Sequence, residues 1–296
     1  MILTIKEYEG KEEDQLKQLL FLCFEDDILL NIVNSSKLKF AYAAFIKEKL
    51  VGFMFAWTSS IHPYCTYFRI LSHPFYNWLD IEGKLLSKAE ELIINNLPLQ
   101  TSIWETSAKL KRLYTSNGFK EIRRTYMPSL KVADVVDYPP FKSEKYEIKT
   151  LTAILSNDTL LEKLTLLVKE NYEKAHIENP IKEFEIEKWK GIILSDDLVP
   201  DGSYVYLDMD EKNIVAYSFL HESDKEDSLE LGWCGAIDAE SKELIPQLTL
   251  LQVNYALKHD IQFFIGEFDT TDDYAMEVLK SFPFTPCPTW ITYQKE

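Results

Sequence analysis

Glycine is scarce, at 9 of 296 residues. That argues against a chain built on glycine-rich loops, where bare backbone closes on a phosphate. Cysteine is sparse as well: Cys23, Cys65, Cys234 and Cys287 stand far apart, with no C-x-x-C pair. Neither they nor His62, His73, His176, His221 and His259 fall at metal-ligand spacing, so buried thiols are expected and a metal is not. Long apolar runs are missing too. The longest, Leu50 to Trp57, is far short of the roughly 20 residues that cross a bilayer, and the opening MILTIKEYEG has neither a cationic nor an apolar leader segment. A soluble, cytoplasmic protein with no membrane role is expected.

A basic excess is also lacking. Residues 1–140 hold 17 Lys+Arg and 17 Asp+Glu, which leaves 15 against 31 for the rest and puts the whole net charge of −16 there. Such a surface repels nucleic acid and mildly favours cationic partners such as amines or basic peptides. An acidic surface that only keeps the protein soluble is the plainer reading of the same numbers.

What is present suits ordinary cores: 46% of residues are hydrophobic and 13% aromatic. The length suggests two domains. Periodicity predicts a strand at 2–9, helices at 12–24 and 27–33, a hairpin at 40–59 about Lys47-Glu48-Lys49, and a strand at 66–72. A helix from Leu79 to about Asn95, a strand at 101–107, a helix at 108–118 stopped by Gly118 and a strand at 119–130 follow. Pro139-Pro140 then breaks the pattern, which places a linker at 139–145 between domains at 1–138 and 146–296.

The same order starts again at Tyr146. A strand YEIKTLTAI, helices at 159–175 and 184–194, a hairpin at 203–223 and a strand at 228–237 are expected, then a helix at 240–258, a strand at 261–269, a helix at 272–282 and a strand at 289–295. Two copies of one unusual order point to an internal duplication.

That order resembles the GNAT superfamily of acyl-CoA N-acyltransferases. I-L-S-H-P-F-Y (70–76) is similar to the family's strand end ahead of its CoA loop, and L-Y-T-S-N-G-F (113–119) to its C-terminal signature. In the second half F-D-T-T-D-D, L-K-S-F-P-F and T-W-I-T-Y-Q-K resemble the matching pieces of tandem GNAT proteins of the mycothiol synthase type. The resemblance implies an α/β (α+β) fold of two GNAT-like domains, each a mixed, mostly antiparallel sheet flanked by helices. It also implies acetyl-CoA as cosubstrate, a small-molecule or peptide amine as acceptor, and N-acetyl transfer with catalysis in the first domain.

In that family an Arg or Gln followed by x-x-Gly-x-Gly/Ala opens the helix after the third meander strand, where unpaired first-turn N–H groups hold the CoA diphosphate. Here Asn77, Asp80 and Glu82 stand at those places, and Gly83 lies one residue later. In the second half Ser241, Leu244 and Pro246 do. The resemblance puts the cofactor contacts at Leu71, Ser72, His73, Asn77, Trp78, Leu79, Asp80, Ile81, Glu82 and Gly83, with Lys109, Lys111 and Arg112 as added phosphate partners. Those cations, with Lys120, Arg123 and Arg124, are the one basic concentration, which also reads as a solvated face. Tyr114 matches the family position whose phenol often protonates the leaving thiolate, and competes with a reading as a core aromatic. Glu105, leaving its strand, is the candidate base for the amine or an ordinary solvated carboxylate. A rival to the enzyme is a tandem fold kept for binding a small ligand or a protein, since carboxylates replace the glycines of the loop.

Overall fold

The computed structural model describes residues 2–91, 97–135, 145–210 and 212–296. The expected linker lies outside these residues apart from Lys145, as does the last turn of the helix expected to reach Asn95. The chain forms two compact units. One comprises Met1–Ile122, Glu178–Lys182 and Trp290–Glu296, the other Arg123–Ile177 and Glu183–Thr289.

The first unit runs β1 (Leu3–Glu7), α1 (Glu13–Leu22), α2 (Ile28–Val33), β2 (Leu38–Ile46), β3 (Lys49–Trp57), β4 (Thr66–Ser72), α3 (Ile81–Glu91), β5 (Leu99–Trp104), α4 (Ala108–Ser116) and the start of β6 (Lys120–Tyr126). The second adds β7 (Ser129–Lys131), β8 (Tyr146–Thr150), α5 (Leu151–Leu155), α6 (Asp158–Ala175), α7 (Ile186–Ile193), β9 (Tyr204–Asp208), β10 (Ile214–Glu222) and β11 (Ser228–Ala236). It continues with α8 (Ile245–Lys258), β12 (Phe263–Gly266), β13 (Phe268–Asp269) and α9 (Asp273–Ser281), and the final strand β14 (Thr289–Lys295) lies in the first unit from Trp290 onward.

In the first unit the strand order is β1-β2-β3-β4-β5-β14-β6. Strand β4 pairs parallel with β5, and the pair is short: Thr66 faces Leu99, Tyr67 faces Gln100, and past these the two strands diverge. Beyond the split β14 pairs antiparallel along all of β5, from Trp290 opposite Trp104 to Lys295 opposite Leu99. The strand alternation sorts the helices onto two faces. Leu16, Leu19 and Leu20 of α1 and Leu29, Leu30 and Val33 of α2 pack on Phe53, Phe55 and Leu71. On the other face Ile81, Leu85 and Leu86 of α3 and Tyr114 of α4 pack on Phe68, Ile70, Ile291 and Tyr293. Helix α3 sits close because β3 offers Gly52 beneath it, where a Cβ would overlap the Ile81 side chain.

In the second unit the order is β7-β12-β11-β10-β9-β8. Again one parallel pair ends early, Ser228 to Leu231 against Phe263 to Gly266. Just past that point β11 holds an extra residue against β10, between the pairs Leu220–Leu231 and Ser218–Cys234. Helices α8 and α9 close one core about Leu248, Val253 and Val278, and α5 to α7 close another about Leu164, Val168 and Ile193.

Both units are mixed, mostly antiparallel sheets flanked by helices, as expected. Four elements differ from the sequence reading. The strand expected over 119–130 is interrupted at Met127-Pro128, because proline has no N–H to continue a ladder, and resumes as β7. The strand expected over 146–154 stops at Thr150, and Leu151 and Ile154, three apart, turn inward as helix α5. The helix expected over 240–258 begins as a 3-10 turn at Glu240–Leu244 ahead of Pro246. The strand expected over 261–269 breaks between Gly266 and Phe268.

Candidate active site

The split between β4 and β5 in the first unit lies between the two helix-covered faces of the sheet. On the α1–α2 face Arg69 reaches across the split and donates from Nη1 to the Ser102 carbonyl of β5. Its guanidinium lies 4.9 Å from the centre of the Trp290 ring, which meets Trp104 edge-on at 4.8 Å. The same Nη1 is 3.5 Å from Oε1 of Glu25, and Arg69 Nε is buried with no partner among the described residues. Glu25 comes from the loop that follows α1. Burial raises its carboxyl above the ordinary carboxylate range, and Arg69 opposes that rise. Nearby, Cys23 donates from Sγ to the Ser72 carbonyl at 3.4 Å. Burial pushes this thiol up to about 11, so it is no nucleophile at neutral pH.

A strap closes the far end of this face. Asn179, from the segment Glu178–Lys182, donates from Nδ2 to the Tyr67 hydroxyl at 2.9 Å and accepts from Cys65 Sγ at 3.4 Å. Its carbonyl lies 2.9 Å from His62 Nδ1, which fixes the proton on that nitrogen because a carbonyl only accepts. Lys182 N–H donates to the Ile61 carbonyl at 2.7 Å, and Gln294 donates to the Glu178 carbonyl at 2.8 Å.

On the α3–α4 face stand most residues expected from sequence. Ser72 donates to Glu82 Oε1 at 2.6 Å, and Lys109 Nζ lies 2.6 and 2.7 Å from the two oxygens of that carboxylate. Glu82 is only 4% exposed, so its charge is spent on internal partners. Asp80 immediately precedes α3. A Cβ on Gly83 would lie 2.5–2.8 Å from its carboxyl atoms, so the carboxylate rests over the first helical turn and only glycine leaves room for it. A negative group there is favourable, because the first N–H groups are unpaired and the helix dipole is positive, by about 0.3–1 kcal/mol.

The remaining expected residues are spread between core and surface. Leu71 and Ile81 are core, and Leu79 packs against it. His73 is buried, its Nδ1 accepts from Phe75 N–H at 3.3 Å, and burial, helped by Lys49, lowers its pKa. Asn77 ends the 3-10 turn Pro74–Tyr76, with its carbonyl 3.4 Å from Lys109 Nζ, and Trp78 is 64% exposed beside Tyr76. Lys111 is half-buried and Arg112 exposed on α4. Glu105 is half-buried in the turn after β5. Tyr114 is completely buried among Phe68, Phe119 and Tyr293. Its hydroxyl points toward that of Thr101 without completing a hydrogen bond to a described atom, and burial lifts its pKa far above the ordinary phenol value.

The second unit repeats the closure of the helix start. Asp238, after β11, accepts from Ser241 N–H at 2.8 Å, and that bond holds its carboxyl below the usual range. Both turns that would seat a diphosphate in a GNAT protein therefore contain a carboxylate of the chain itself. Neither donor set fits the diphosphate of CoA.

Arg69 and Glu25 were not among the residues expected from sequence. Arg69 was legible in part, as the lone cation inside the apolar strand TYFRILS; Glu25 has no such signal, since Asp26 and Asp27 follow it directly.

Neither a family model nor a curated protein matches the sequence. Solved structures do match over nearly the whole chain. A GCN5-related N-acetyltransferase from Sphaerobacter thermophilus is 14% identical, with 99% of this chain and 95% of that one covered and a TM-score of 0.64. A tandem GNAT protein from the clavulanic acid biosynthesis pathway is 12% identical, with 100% and 98% covered and a TM-score of 0.58. A GNAT-family acetyltransferase from Colwellia psychrerythraea is 12% identical, with 99% and 100% covered and a TM-score of 0.53. At such identities the likeness is one of architecture. With two mixed sheets that each split after one parallel pair, this chain has the tandem GNAT fold.

Proposed function

We propose that the first unit is an acyl-transfer centre that moves an acyl group from a thioester to an amine across the β4–β5 split. The observation that carries this reading is the pairing of the desolvated Glu25 with Arg69 on one side of the split, opposite the Tyr114 hydroxyl on the other. The amine nitrogen bonds to the thioester carbonyl carbon, the C–S bond breaks, and sulfur leaves as thiolate. The amine's proton passes to Glu25, which burial makes a stronger base than a carboxylate in water. Arg69 positions Glu25 and is itself held by Ser102 and Trp290.

Tyr114 takes a narrower role than its position in the family pattern implies. A phenol so far above its normal pKa does not surrender its proton to a thiolate whose conjugate acid titrates at about 8.5. It donates a hydrogen bond to the departing sulfur instead, and the thiolate takes its proton from water. Glu105, in the β5–α4 turn, is the second candidate base and acts through water. The acetyltransferase descriptions of the structural neighbours support the reading.

The test is thiol release from acetyl-pantetheine and from acetyl-CoA in the presence of a panel of primary amines. Activity that falls by on the order of 100-fold in Glu25→Gln, with donor affinity within about threefold, is the expected result. Silence from every donor and amine sinks the proposal. A second reading, ligand binding without chemistry, is favoured by the carboxylates that close both helix starts and by the unbroken register of β4 against β3. It expects saturable thioester binding with no thiol release.

A further inference from the structure

We infer that the acyl donor carries no nucleotide diphosphate: it is a thioester of a pantetheine-type thiol, gripped along its amide arm alone. This rests on the acyl-transfer reading of the split and concerns what enters it. At the start of α3 the position for an anion is filled from within. The Asp80 carboxylate lies over the first turn, against Gly83, and the Glu82 carboxylate stands in the same turn. A diphosphate brought there would meet like charge rather than bare N–H groups.

The nearest cation does not relieve the conflict. Lys109 is bound to both oxygens of Glu82 and lies near the Asn77 carbonyl, so recruiting it to a phosphate would strip a buried carboxylate of its partner. The start of α8 shows the same outcome by different means. Asp238 holds the Ser241 N–H, a 3-10 turn replaces the first helical turn, and Pro246 removes a further N–H. Both turns thus hold a carboxylate of the chain where an anion would be seated.

The split itself is kept. Past Tyr67 and Gln100 the facing edges of β4 and β5 no longer pair with each other, which leaves extended backbone on which an amide-bearing chain can form strand-like hydrogen bonds. A pantetheine arm has such amides and no phosphate.

Calorimetric titration of the intact protein with acetyl-CoA and with acetyl-pantetheine decides the matter. Dissociation constants within about threefold of each other are expected, because the nucleotide adds nothing. Asp80→Gly, at an exposed position, should tighten acetyl-CoA by on the order of tenfold and leave acetyl-pantetheine unchanged. A tenfold or greater preference of the unaltered protein for acetyl-CoA overturns the inference while the acyl-transfer reading stands. An acetyl-CoA affinity unmoved by Asp80→Gly overturns it as well. Binding of neither thioester at millimolar concentration overturns both.

Discussion

Glu25 and Asp272 are two carboxylates that burial drives the same way with different consequences. Glu25 has raised its pKa inside a split where a base is needed, so the acid limb of the pH–rate profile should lie above the ordinary carboxylate value and should disappear in Glu25→Gln. A limb unmoved by the substitution would assign the base elsewhere, with Glu105 next in line. Asp272 caps α9, accepting from Tyr274 N–H at 2.9 Å and Ala275 N–H at 3.1 Å, yet burial lifts it to about 6. Its folded pKa exceeds the unfolded one, so the folded state holds the proton more tightly and stability falls as pH rises between about 4 and 6. Asp272→Asn keeps an acceptor for the cap and removes that cost. Its midpoint in urea at pH 7 should rise by the equivalent of about 1–2 kcal/mol, and the decline between pH 4 and 6 should flatten. A lower midpoint would show that the charge at the helix start outweighs its desolvation. Tyr114→Phe deletes a hydroxyl that completes no hydrogen bond among the described residues, so stability should be unchanged or slightly higher while turnover drops.

Among the elements, α3 concentrates the most testable physics. Gly52 lets it approach β3, and Gly52→Ala should shift the helix and cost about 1–3 kcal/mol by thermal or urea unfolding. Lys109→Met leaves the nearly buried Glu82 with Ser72 alone, and a loss of about 1–3 kcal/mol is expected by urea unfolding at pH 7. Periodicity made most of these elements legible: β4 begins and ends on the residues expected, and α1, α4, α6 and α9 within two residues. The misses share a cause. Leu151 and Ile154 satisfy a strand or a helix equally in so short a run, and only the sheet edge decides; Pro128 interrupts what its apolar neighbours continue. At the site, the acids at 80 and 82 were readable as departures from a glycine pattern. Their internal partners, Lys109 at 27 residues' distance and Gly83 beneath Asp80, follow only from the fold.

For the molecule as a whole, strand order matters more than any single contact. The first unit takes β14 between β5 and β6, although β14 is encoded after every element of the second. Removing residues 289–296 should abolish the cooperative unfolding of the first unit, since β5 loses all of its antiparallel partner. A truncated chain that keeps its full unfolding amplitude would contradict this. The order of synthesis adds a constraint in time. When β6 leaves the ribosome the first sheet still has a gap, and at roughly 5–20 residues per second the strand that fills it follows about ten to thirty seconds later. Until then the edges of β5 and β6 present unpaired backbone to any strand nearby, a template for pairing between nascent chains. The first unit thus finishes folding last, and in the cell its early half needs either a holding chaperone or a slow approach of neighbours.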